Sequence, residues 1–487
     1  MSVLSDLERY VVTDYIVDDN DYVTESPLAY KLELEMTAGV FTDVTSRVAR
    51  ASYSRHITTL FDPLVPDNAM FELHDSVGAF APGRGSGIQP GRQARLTATY
   101  NNSYNLFYGR VTAVRNKPFI EGQQSTIIEA ISDVDRLSSR TITTSLFQNI
   151  GASSLFTEIM SLSAVSSFRA DALSETMEFA WYRDLNVVNA LNQLVRSGNY
   201  YLYVDGAGTI SLKRADWPFT PVGLYVLTDY VLEDYVSSIA VISDAFDLQY
   251  SLSHDRVLND VKINAQPRQL ATSVATIAQL AAPVSIPASG AIGFWLTYQD
   301  PLRGNESTPV GSFATQVAST DFYAAANSDG TGTNFTSTLS INMKQFGETA
   351  VASIFNGTGS TAWLTRFQLQ GYPVRQSGLL GYQTEDSSSQ NVFGRRAFEL
   401  DNLIQDRSYI QSFATSIVTT RKNAQQDLTV ALVNDYPQML QREIGDLVAV
   451  INSTTGVNSS WVVFGMQHEI DLADGIRHQV TFNMRLY

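Results

Sequence analysis

The stretch HEIDLADGIRH, from His468 to His478, carries the residue types best suited to chemistry in this chain: two histidines, a glutamate and two aspartates. Imidazole and carboxylate groups hold zinc in proteins when cysteine is missing, and this chain has no cysteine. Whether these five side chains could share one ion depends on how the strands around Asp474-Gly475 pair, because a shift of one residue moves every side chain to the other face.

The apolar pattern of the last two strands predicts their register. A two-residue turn at Asp474-Gly475 would put the apolar residues of the last strand opposite polar ones. A three-residue loop, Ala473 to Gly475 with Gly475 at positive φ, avoids this and makes one face apolar. The predicted opposite pairs are Leu472 with Ile476, Ile470 with His478, His468 with Val480, Met466 with Phe482, Phe464 with Met484 and Val462 with Leu486.

This register separates the carboxylates from the imidazoles. Glu469 and Asp471 fall on the other face, where Asp471 lies opposite Arg477 as a cross-strand ion pair. His468 and His478 become diagonal neighbours about 7–8 Å apart. An ion shared by these two alone stays open, but their surroundings supply only aliphatic side chains. We expect half-buried imidazoles satisfied by the backbone or a tyrosine, and neither a metal ion nor a cofactor.

The charge balance excludes other classes of protein. The 487 residues carry a formal net charge of −16, and the sequence pI is near 4.7. Such a chain lacks the positive surface that grips phosphates, so we expect no sequence-specific nucleic-acid binding. The first residues predict no signal peptide. The uncharged run from Gln269 to Gln299 contains Pro283 and Pro287, which argue against a membrane span.

Signatures of catalysis are missing from the sequence. It contains no Gly-x-Ser-x-Gly, no His-Glu-x-x-His and no Gly-Lys-Ser/Thr. The adjacent pair His254-Asp255 is typical of a surface turn, and the DGAG segment from Asp205 to Gly208 is typical of a hairpin turn. We therefore expect no enzyme activity.

The elements that position these residues are mostly strands. With 24 Phe, 23 Tyr and only 17% charged residues, the composition predicts a mainly β, α+β protein with a few helices. Short strands bounded by turn residues are typical of a small closed or nearly closed antiparallel barrel. The predicted domains are an N-terminal arm (1–29), a first barrel (30–140), a helix-and-hairpin connector (141–255), an inserted Ser/Thr/Ala-rich β domain (266–383) and a second barrel (256–265 plus 384–487).

Two helices have clear apolar stripes. One is predicted in the connector between an N-cap at Asp184 and Gly198, and another from Asp406 to Arg421. After the first helix, a four-residue turn from Asp205 to Gly208 would close a hairpin. That turn would bring onto one face Tyr201, Tyr203, Ile210 and Leu212.

The C-terminal hairpin has a counterpart near the other end of the chain. Both PGRQARLTATYNNSYNLFYGRVTAVRNKPFIEGQQSTIIEAIS and IGDLVAVINSTTGVNSSWVVFGMQHEIDLADGIRHQVTFNMRLY run strand, loop, Phe near Gly, strand, acidic-Gly turn, strand. They imply two copies of one barrel in a single chain. The aligned positions are Gly91 with Gly445, Phe107 and Gly109 with Phe464 and Gly465 to within a residue, and Glu121-Gly122 with Asp474-Gly475.

The second copy resembles the closing barrel of tailed-bacteriophage tail-tip and baseplate hub proteins. That barrel has the form "iGD.v.v", "v.G..h.i", "H..t..l", matched here by IGDLVAV, VVFGMQHEI and HQVTFNM. Further matching segments are DLNVVNALNQLVRSGNYYLYVDGAGTISLKR, RVLNDVKI and GYPVRQSG…TEDSSSQNVFGRRAFELDNLIQDRSYIQSFATSIV. In this resemblance Asp386 and Ser389 cap a turn and Gly394 allows a sharp bend. The structural residues it implies are Asp386, Ser389, Phe393, Gly394, Arg395, Gly445, Asp446, Gly465 and Gly475.

The resemblance implies a structural virion protein of the tail tip, assembled in the host cytoplasm. Hub proteins of this kind carry two tube-like barrels per chain, so three chains form a ring of six that joins the sixfold tail tube to the tip and lines the DNA channel. The implied partners are two further copies in a homotrimer, the distal tail or tail tube protein ring, the tape measure protein, and other tip or fibre proteins.

The insert leaves a second function open. It is larger and richer in Ser and Thr than a plain hub needs. The alternative is a tail adhesin that binds host-surface carbohydrate through exposed aromatic residues. The candidate aromatic residues are Trp295, Tyr298, Phe322, Tyr323 and Trp363.

Overall fold

The protein is described here by a computed structural model of residues 28–75, 78–82, 88–118, 124–215, 225–228, 241–242, 245–304, 306–452, 455–473 and 475–486. Over these residues it is mainly β with six α-helices, so the predicted fold class is confirmed. Almost all of the predicted N-terminal arm, 1–29, lies outside the described residues. None of the described helices is long and apolar enough to span a membrane.

The strands are numbered in chain order. They are β1 (Ala29–Thr37), β2 (Val40–Asp43), β3 (Val48–His56), β4 (Asn68–His74), β5 (Gln93–Tyr100), β6 (Asn102–Pro118), β7 (Gln124–Ile131), β8 (Thr141–Ile142), β9 (Phe147–Gly151), β10 (Phe168–Ala170), β11 (Thr176–Ala180), β12 (Leu185–Asn186), β13 (Tyr200–Val204), β14 (Ile210–Arg214), β15 (Tyr225–Thr228), β16 (Val241–Ile242), β17 (Ala245–Ser253), β18 (Asp260–Ala265), β19 (Arg268–Leu270), β20 (Ala275–Gln279), β21 (Val284–Ile286), β22 (Ala291–Thr297), β23 (Val310–Phe313), β24 (Phe322–Ala325), β25 (Leu339–Gln345), β26 (Thr349–Asn356), β27 (Ala362–Gln376), β28 (Leu380–Glu385), β29 (Ala397–Asn402), β30 (Gln425–Val433), β31 (Leu447–Asn452), β32 (Val457–Asp471) and β33 (Arg477–Leu486).

The helices are α1 (Val134–Ser138), α2 (Ala152–Leu162), α3 (Val187–Gly198), α4 (Ser387–Phe393), α5 (Arg407–Arg421) and α6 (Tyr436–Gln441). α5 begins as predicted, because the Asp406 side chain accepts the Tyr409 N–H at 2.7 Å. For α3 the predicted cap is wrong. Asn186 caps it, accepting the Val188 N–H at 2.9 Å, whereas Asp184 accepts a hydrogen bond from the Thr143 hydroxyl.

One 14-stranded sheet contains two sets of strands in the same order. The first set runs β1-β5-β6-β7-β4-β3 and the second runs β15-β31-β32-β33-β30-β17. Only the first neighbour differs, since β1 is antiparallel to β5 and β15 is parallel to β31. The internal repeat seen in the sequence is therefore a repeat of strand order.

The two sets also share their irregularities. One extra residue bulges from β6 at Thr112 and from β32 at Phe464. In both sets a glycine at positive φ donates its N–H to the residue before the bulge: Gly91 to Val111 O at 2.7 Å and Gly445 to Val463 O at 2.8 Å. The bulge and the glycine give a residue-level equivalence between the sets.

This equivalence corrects part of the sequence alignment. Gly91 and Gly445 do correspond, but counting from the bulges, Gly465 corresponds to Ala113 and not to Gly109. Aligning the two Phe-near-Gly patterns gives the wrong equivalence because the connections before them differ in length. β5 and β6 are joined by a one-residue turn at Asn101, whereas the connection between β31 and β32 is longer. The two Phe-Gly pairs therefore stand at different heights in their strands.

Each set curves around its own apolar core. Leu32 and Leu34 of β1 and Tyr53 of β3, at the two ends of the first set, belong to one buried cluster. Trp461 and Phe482 lie in a second buried cluster, against which Leu248 of β17 packs. Among the described residues no hydrogen-bonded pairing joins the ends of either set, so the predicted barrels are observed as sheets that strand pairing does not close.

The two sets are joined by direct strand pairing. β3, the last strand of the first set, pairs antiparallel with the second half of β32, from Arg50 opposite Asp471 to His56 opposite Gly465. The other edge of that half of β32 pairs with β33. We call the β3–β32 pairing the barrel junction.

The connector hairpin differs from its predicted register. Asp205 N–H donates to Thr209 O at 3.1 Å, and Val204 lies opposite Ile210, so the loop has five residues and not four. The extra residue reverses the faces. Leu202 and Leu212 share the core of the connector, whereas Tyr203 packs on the core of the second set.

The segment 256–265 does not join the second barrel as predicted. Its strand β18 lies between β28 and β29 in a separate three-stranded sheet, which packs on α5 through Val261, Ile263 and Ile417. β17, within the predicted connector, instead pairs with β30 of the second set. The predicted insert contains β19 to β27, in a six-stranded sheet organised around β27 and a three-stranded sheet β22-β26-β25.

Candidate functional site

The final hairpin has the predicted register over most of its length. Asp471 lies opposite Arg477, Ile470 opposite His478, His468 opposite Val480 and Met466 opposite Phe482, and Gly475 is at φ +117°. Beyond the bulge the prediction is wrong. The bulge at Phe464 shifts the pairing by one residue, and the observed pairs there are Val463 with Met484 and Trp461 with Leu486.

The two histidines form a buried chain of polar groups at the barrel junction. His478 Nε2 lies 2.8 Å from His468 Nδ1, and the Tyr30 hydroxyl lies 2.7 Å from His478 Nδ1. The Tyr53 ring stacks on His468 with centroids 4.4 Å apart. Both imidazoles are fully buried, not half-buried as expected, but a tyrosine satisfies His478 as predicted.

The environment of the imidazoles keeps them neutral. Burial lowers the pKa of His478 to about 3. Burial, His478 and Arg55 together lower the pKa of His468 well below its usual value. Glu469 and Asp471 pair across to Gln479 and Arg477 on the opposite face. Within the described residues no three His, Asp or Glu side chains are grouped so that they could share a metal ion.

Charged groups continue this cluster across the junction. The buried Arg55 of β3 donates from Nη1 to Glu443 Oε1 at 2.7 Å, which ties the first set to the loop before β31. Asp67 is fully buried near this arginine, and burial raises the pKa of its carboxyl to about 8. Its Oδ1 accepts the His56 N–H at 3.3 Å. The Arg55–Glu443 pair thus adds to the side-chain contacts that Tyr30 and Tyr53 make with the two imidazoles across the junction.

Gly445 and Asp446 form the turn that leads into β31. Gly445 is at φ +89°, a conformation that favours glycine. The Asp446 carboxylate accepts the Glu443 N–H at 2.9 Å, and burial raises its pKa to about 6. Gly465 lies beside the bulge, where a Cβ would meet Arg55 O at 3.5 Å, an ordinary contact distance. The role of Gly465 thus lies in the bulge and not in a crowded approach.

Asp386 and Ser389 lie at the start of α4. The Asp386 carboxylate accepts the Ser389 N–H at 2.8 Å and an ion pair from Lys422 Nζ at 3.0 Å. Gly394, at φ +73°, ends the helix and donates its N–H to Gln390 O. This arrangement bends the chain sharply between β28 and β29.

Arg395 follows that bend and Phe393 precedes it. The Arg395 guanidinium forms an ion pair with the buried Asp260, while Phe393 is half-buried. Sequence reasoning missed the residue that organises this segment. The fully buried Asn259 donates to Gly394 O at 2.8 Å and to Ser389 Oγ at 3.1 Å, and accepts the Arg396 N–H at 2.7 Å. The feature of the sequence that could have indicated this role is the single Asn among the apolar residues of the segment RVLNDVKI.

The aromatic candidates of the insert do not form one surface. Tyr298 is fully buried, and Phe322, Tyr323 and Trp363 are half-buried. Trp295 is 66% exposed and stacks on Phe346 with ring centroids 5.9 Å apart. Of the five, therefore, only Trp295 presents most of its side chain to solvent.

At these sites the described contacts hold strands and turns in place. The imidazoles are neutral, buried and bonded to one another, and the carboxylates of the same hairpin face away from them. The junction cluster therefore fixes the register and orientation of two strand sets. The α4 segment fixes the path of the chain back from the insert.

Three solved structures are similar to this chain over most of its length. A tail protein from Neisseria meningitidis MC58 superposes with a TM-score of 0.52 at 10% identity, over 94% of this chain and 96% of that one. The 43 kDa tail protein of prophage MuSo2 from Shewanella oneidensis has a TM-score of 0.48 at 10% identity, over 94% and 98%. A type VI secretion component of E. coli has 0.41 at 7% identity, over 94% and 77%.

No protein-family model and no curated protein sequence matches the chain. The Neisseria structure nevertheless covers nearly the whole of both chains. The chain therefore has the fold of this tail protein, and the resemblance to tail proteins is confirmed at the level of the fold.

Proposed function

We propose that this chain is a structural hub protein of a bacteriophage tail tip or baseplate. Three copies form a ring of six strand sets that joins the sixfold tail tube to the tip and surrounds the channel through which the genome passes. The neighbours of the ring are the distal tail or tail tube protein, the tape measure protein and other tip or fibre proteins. The protein is assembled in the host cytoplasm and its role is not catalytic.

The observation that carries this proposal is the repeat of strand order and bulges. A sixfold tube can be met by six copies of one unit or by three copies of two units, and this chain contains two equivalent sets. The fold shared with the Neisseria tail protein supports the same role. The acidic net charge of −16 suits a channel that DNA must leave without binding.

Averaged electron micrographs of tails, with this chain labelled, test the proposal. We expect three copies at the tube-to-tip junction, arranged so that density for the two sets alternates around a central pore. Six copies related by strict sixfold symmetry, or a single copy at the tip, would contradict the proposed ring. Absence of the labelled chain from purified virions would contradict the virion role itself.

A second candidate function is a tail adhesin for carbohydrate. Exposed Trp295 on β22 supports it, because aromatic faces stack on sugar rings and Trp295 is held in place by Phe346. A glycan array probed with the full chain and with Trp295→Ala tests this. Binding that Trp295→Ala abolishes favours the adhesin, whereas equal signals from both chains argue against a site at Trp295.

A further inference from the structure

Two strand edges have no strand beside them in the described residues. Each of them corresponds, in the other strand set, to one of the two edges that pair in the barrel junction. Within these residues β17 pairs with β30 alone. β6 pairs with β7 alone over residues 112–116, because its pairing with β5 ends at Arg110. Exposed strand edges with unpaired backbone groups are sites at which another strand adds.

The barrel junction shows what a strand does at each of these places. β17 occupies in the second set the position that β3 occupies in the first, and residues 112–116 of β6 occupy the position of the second half of β32. β3 and β17 even bulge at the same height, since Ala49 and Phe246 are each the extra residue before the paired stretch. In the junction, the two corresponding edges are paired with each other.

We propose that β17 of one copy of this chain pairs antiparallel with β6 of the next copy, in the register of the barrel junction. This inference rests on the proposed function, because it names the contact that closes the ring. Counting from the bulges, Ser251 takes the place of Ser54 and Arg115 takes the place of Gln467. The full set of pairs is Gln249 with Lys117, Tyr250 with Asn116, Ser251 with Arg115, Leu252 with Val114 and Ser253 with Ala113.

The side chains fit this pairing. Tyr250 repeats Tyr53, which stacks on His468 in the junction, and Tyr250 is 41% exposed. Leu252 is 62% exposed and would lie opposite Val114, so the contact covers an apolar residue that the single chain leaves in water. Ala113 can replace Gly465, because a Cβ at Gly465 would meet nothing closer than 3.5 Å.

One residue limits the length of the pairing. Pro118 corresponds to Ile470 and has no N–H to donate, so the ladder between copies is shorter at that end than the junction within the chain. Such a contact joins one copy to the next head to tail, and it forms a closed ring when the rotation between copies closes.

Disulfide cross-linking tests the register directly, because the chain has no cysteine of its own. Residues directly opposite in paired strands are close enough for a disulfide. The Ser251→Cys/Arg115→Cys double variant should form disulfides between chains on oxidation. The equivalent pair within one chain, Ser54→Cys/Gln467→Cys, should close a disulfide without raising the mass. In Ser251→Cys/Asn116→Cys, the two side chains face opposite sides of the sheet and should not cross-link.

A surface substitution gives an independent readout. Leu252→Asp should raise the concentration needed for self-association by about tenfold or more, since it places a charge in the apolar contact. Leu302→Asp is the matched control: Leu302 is 74% exposed and lies in the insert, so self-association should not change. Equal effects of the two variants, measured by analytical ultracentrifugation, would contradict the proposed contact.

The outcomes separate this inference from the proposed hub. Trimers that form without a 251–115 cross-link, while the 54–467 disulfide closes, overturn the contact and leave the hub in place. Cross-linked rings with a number of copies other than three support the contact and overturn the trimeric hub. No 251–115 cross-link in any assembly state, or a 251–116 cross-link of equal yield, overturns the contact.

Discussion

Acidification should weaken the barrel junction through its buried histidines. His478 is neutral in the folded chain because burial lowers its pKa to about 3, while in the unfolded chain its pKa is about 6.5. The unfolded state therefore binds the extra proton first. Stability is fully retained above pH 6.5, falls as pH decreases from there, and stops falling through this group near pH 3.

The expected loss follows from that window. Between pH 6.5 and pH 5, one histidine that stays neutral only in the folded state costs about 2 kcal/mol, at about 1.4 kcal/mol per pH unit. His468, whose pKa is also held well below its usual value, acts in the same direction. The wild-type chain should therefore lose at least about 2 kcal/mol on moving from pH 7 to pH 5 through His478, and His468 adds to that loss.

Urea denaturation at a series of pH values measures this loss, followed by tryptophan fluorescence because Trp461 is buried in the second set. His478→Gln keeps a hydrogen-bonding side chain but cannot take up a proton, so its free energy of unfolding should fall by about 2 kcal/mol less over the same range. Identical slopes for wild type and His478→Gln would refute the reasoning.

Three further outcomes are expected. Asp67→Asn should stabilise the chain increasingly as pH rises from about 4 to 8, by about 1.4 kcal/mol per pH unit. Burial raises the pKa of the Asp67 carboxyl to about 8, so the folded wild-type chain retains a proton that the unfolded chain loses. A melting-temperature difference between variant and wild type that is the same at pH 5 and pH 8 would contradict this. Gly475→Val should cost about 1–2 kcal/mol more than Asp474→Ala, since Gly475 is at φ +117°; equal melting temperatures would argue for another loop. Asn259→Ala should destabilise by about 3 kcal/mol or more, because buried groups lose their partners, whereas Asn342→Ala at an exposed position should not; matched melts of both variants decide it.

Local patterns predicted local structure well in this chain. The alternation of apolar residues around Gly475 predicts the register from Met466 to Asp471 correctly, because burial of one face penalises a shift. The same alternation predicts the wrong pairs beyond Phe464, because the bulge there shifts the pairing by one residue and no residue type in the strand marks its position. The connector hairpin fails for a related reason: one more residue in the loop after Val204 reverses both faces, and both Tyr and Leu are acceptable on a buried side.

Long-range pairing was beyond the reach of the sequence. Nothing in the segment from Val48 to His56 indicates that its partner is β32, more than 400 residues later in the chain. The imidazoles of His468 and His478 were placed on the correct face, but their direct contact and the stacked Tyr53 depend on the first set packing against them. The organising role of Asn259 likewise depends on the return of the chain near Gly394.

The barrel junction also has a mechanical consequence. Its ladder runs from Arg50 to His56 along β32, whose other edge is held by β33. A force along the strand axis loads all the hydrogen bonds of the ladder at once, whereas a force that spreads the two sets apart breaks them one after another from an end. The junction therefore resists sliding more than it resists prying. In the proposed tail ring, contraction of the tail or ejection of the genome would meet a stiff response in the first direction and a compliant one in the second.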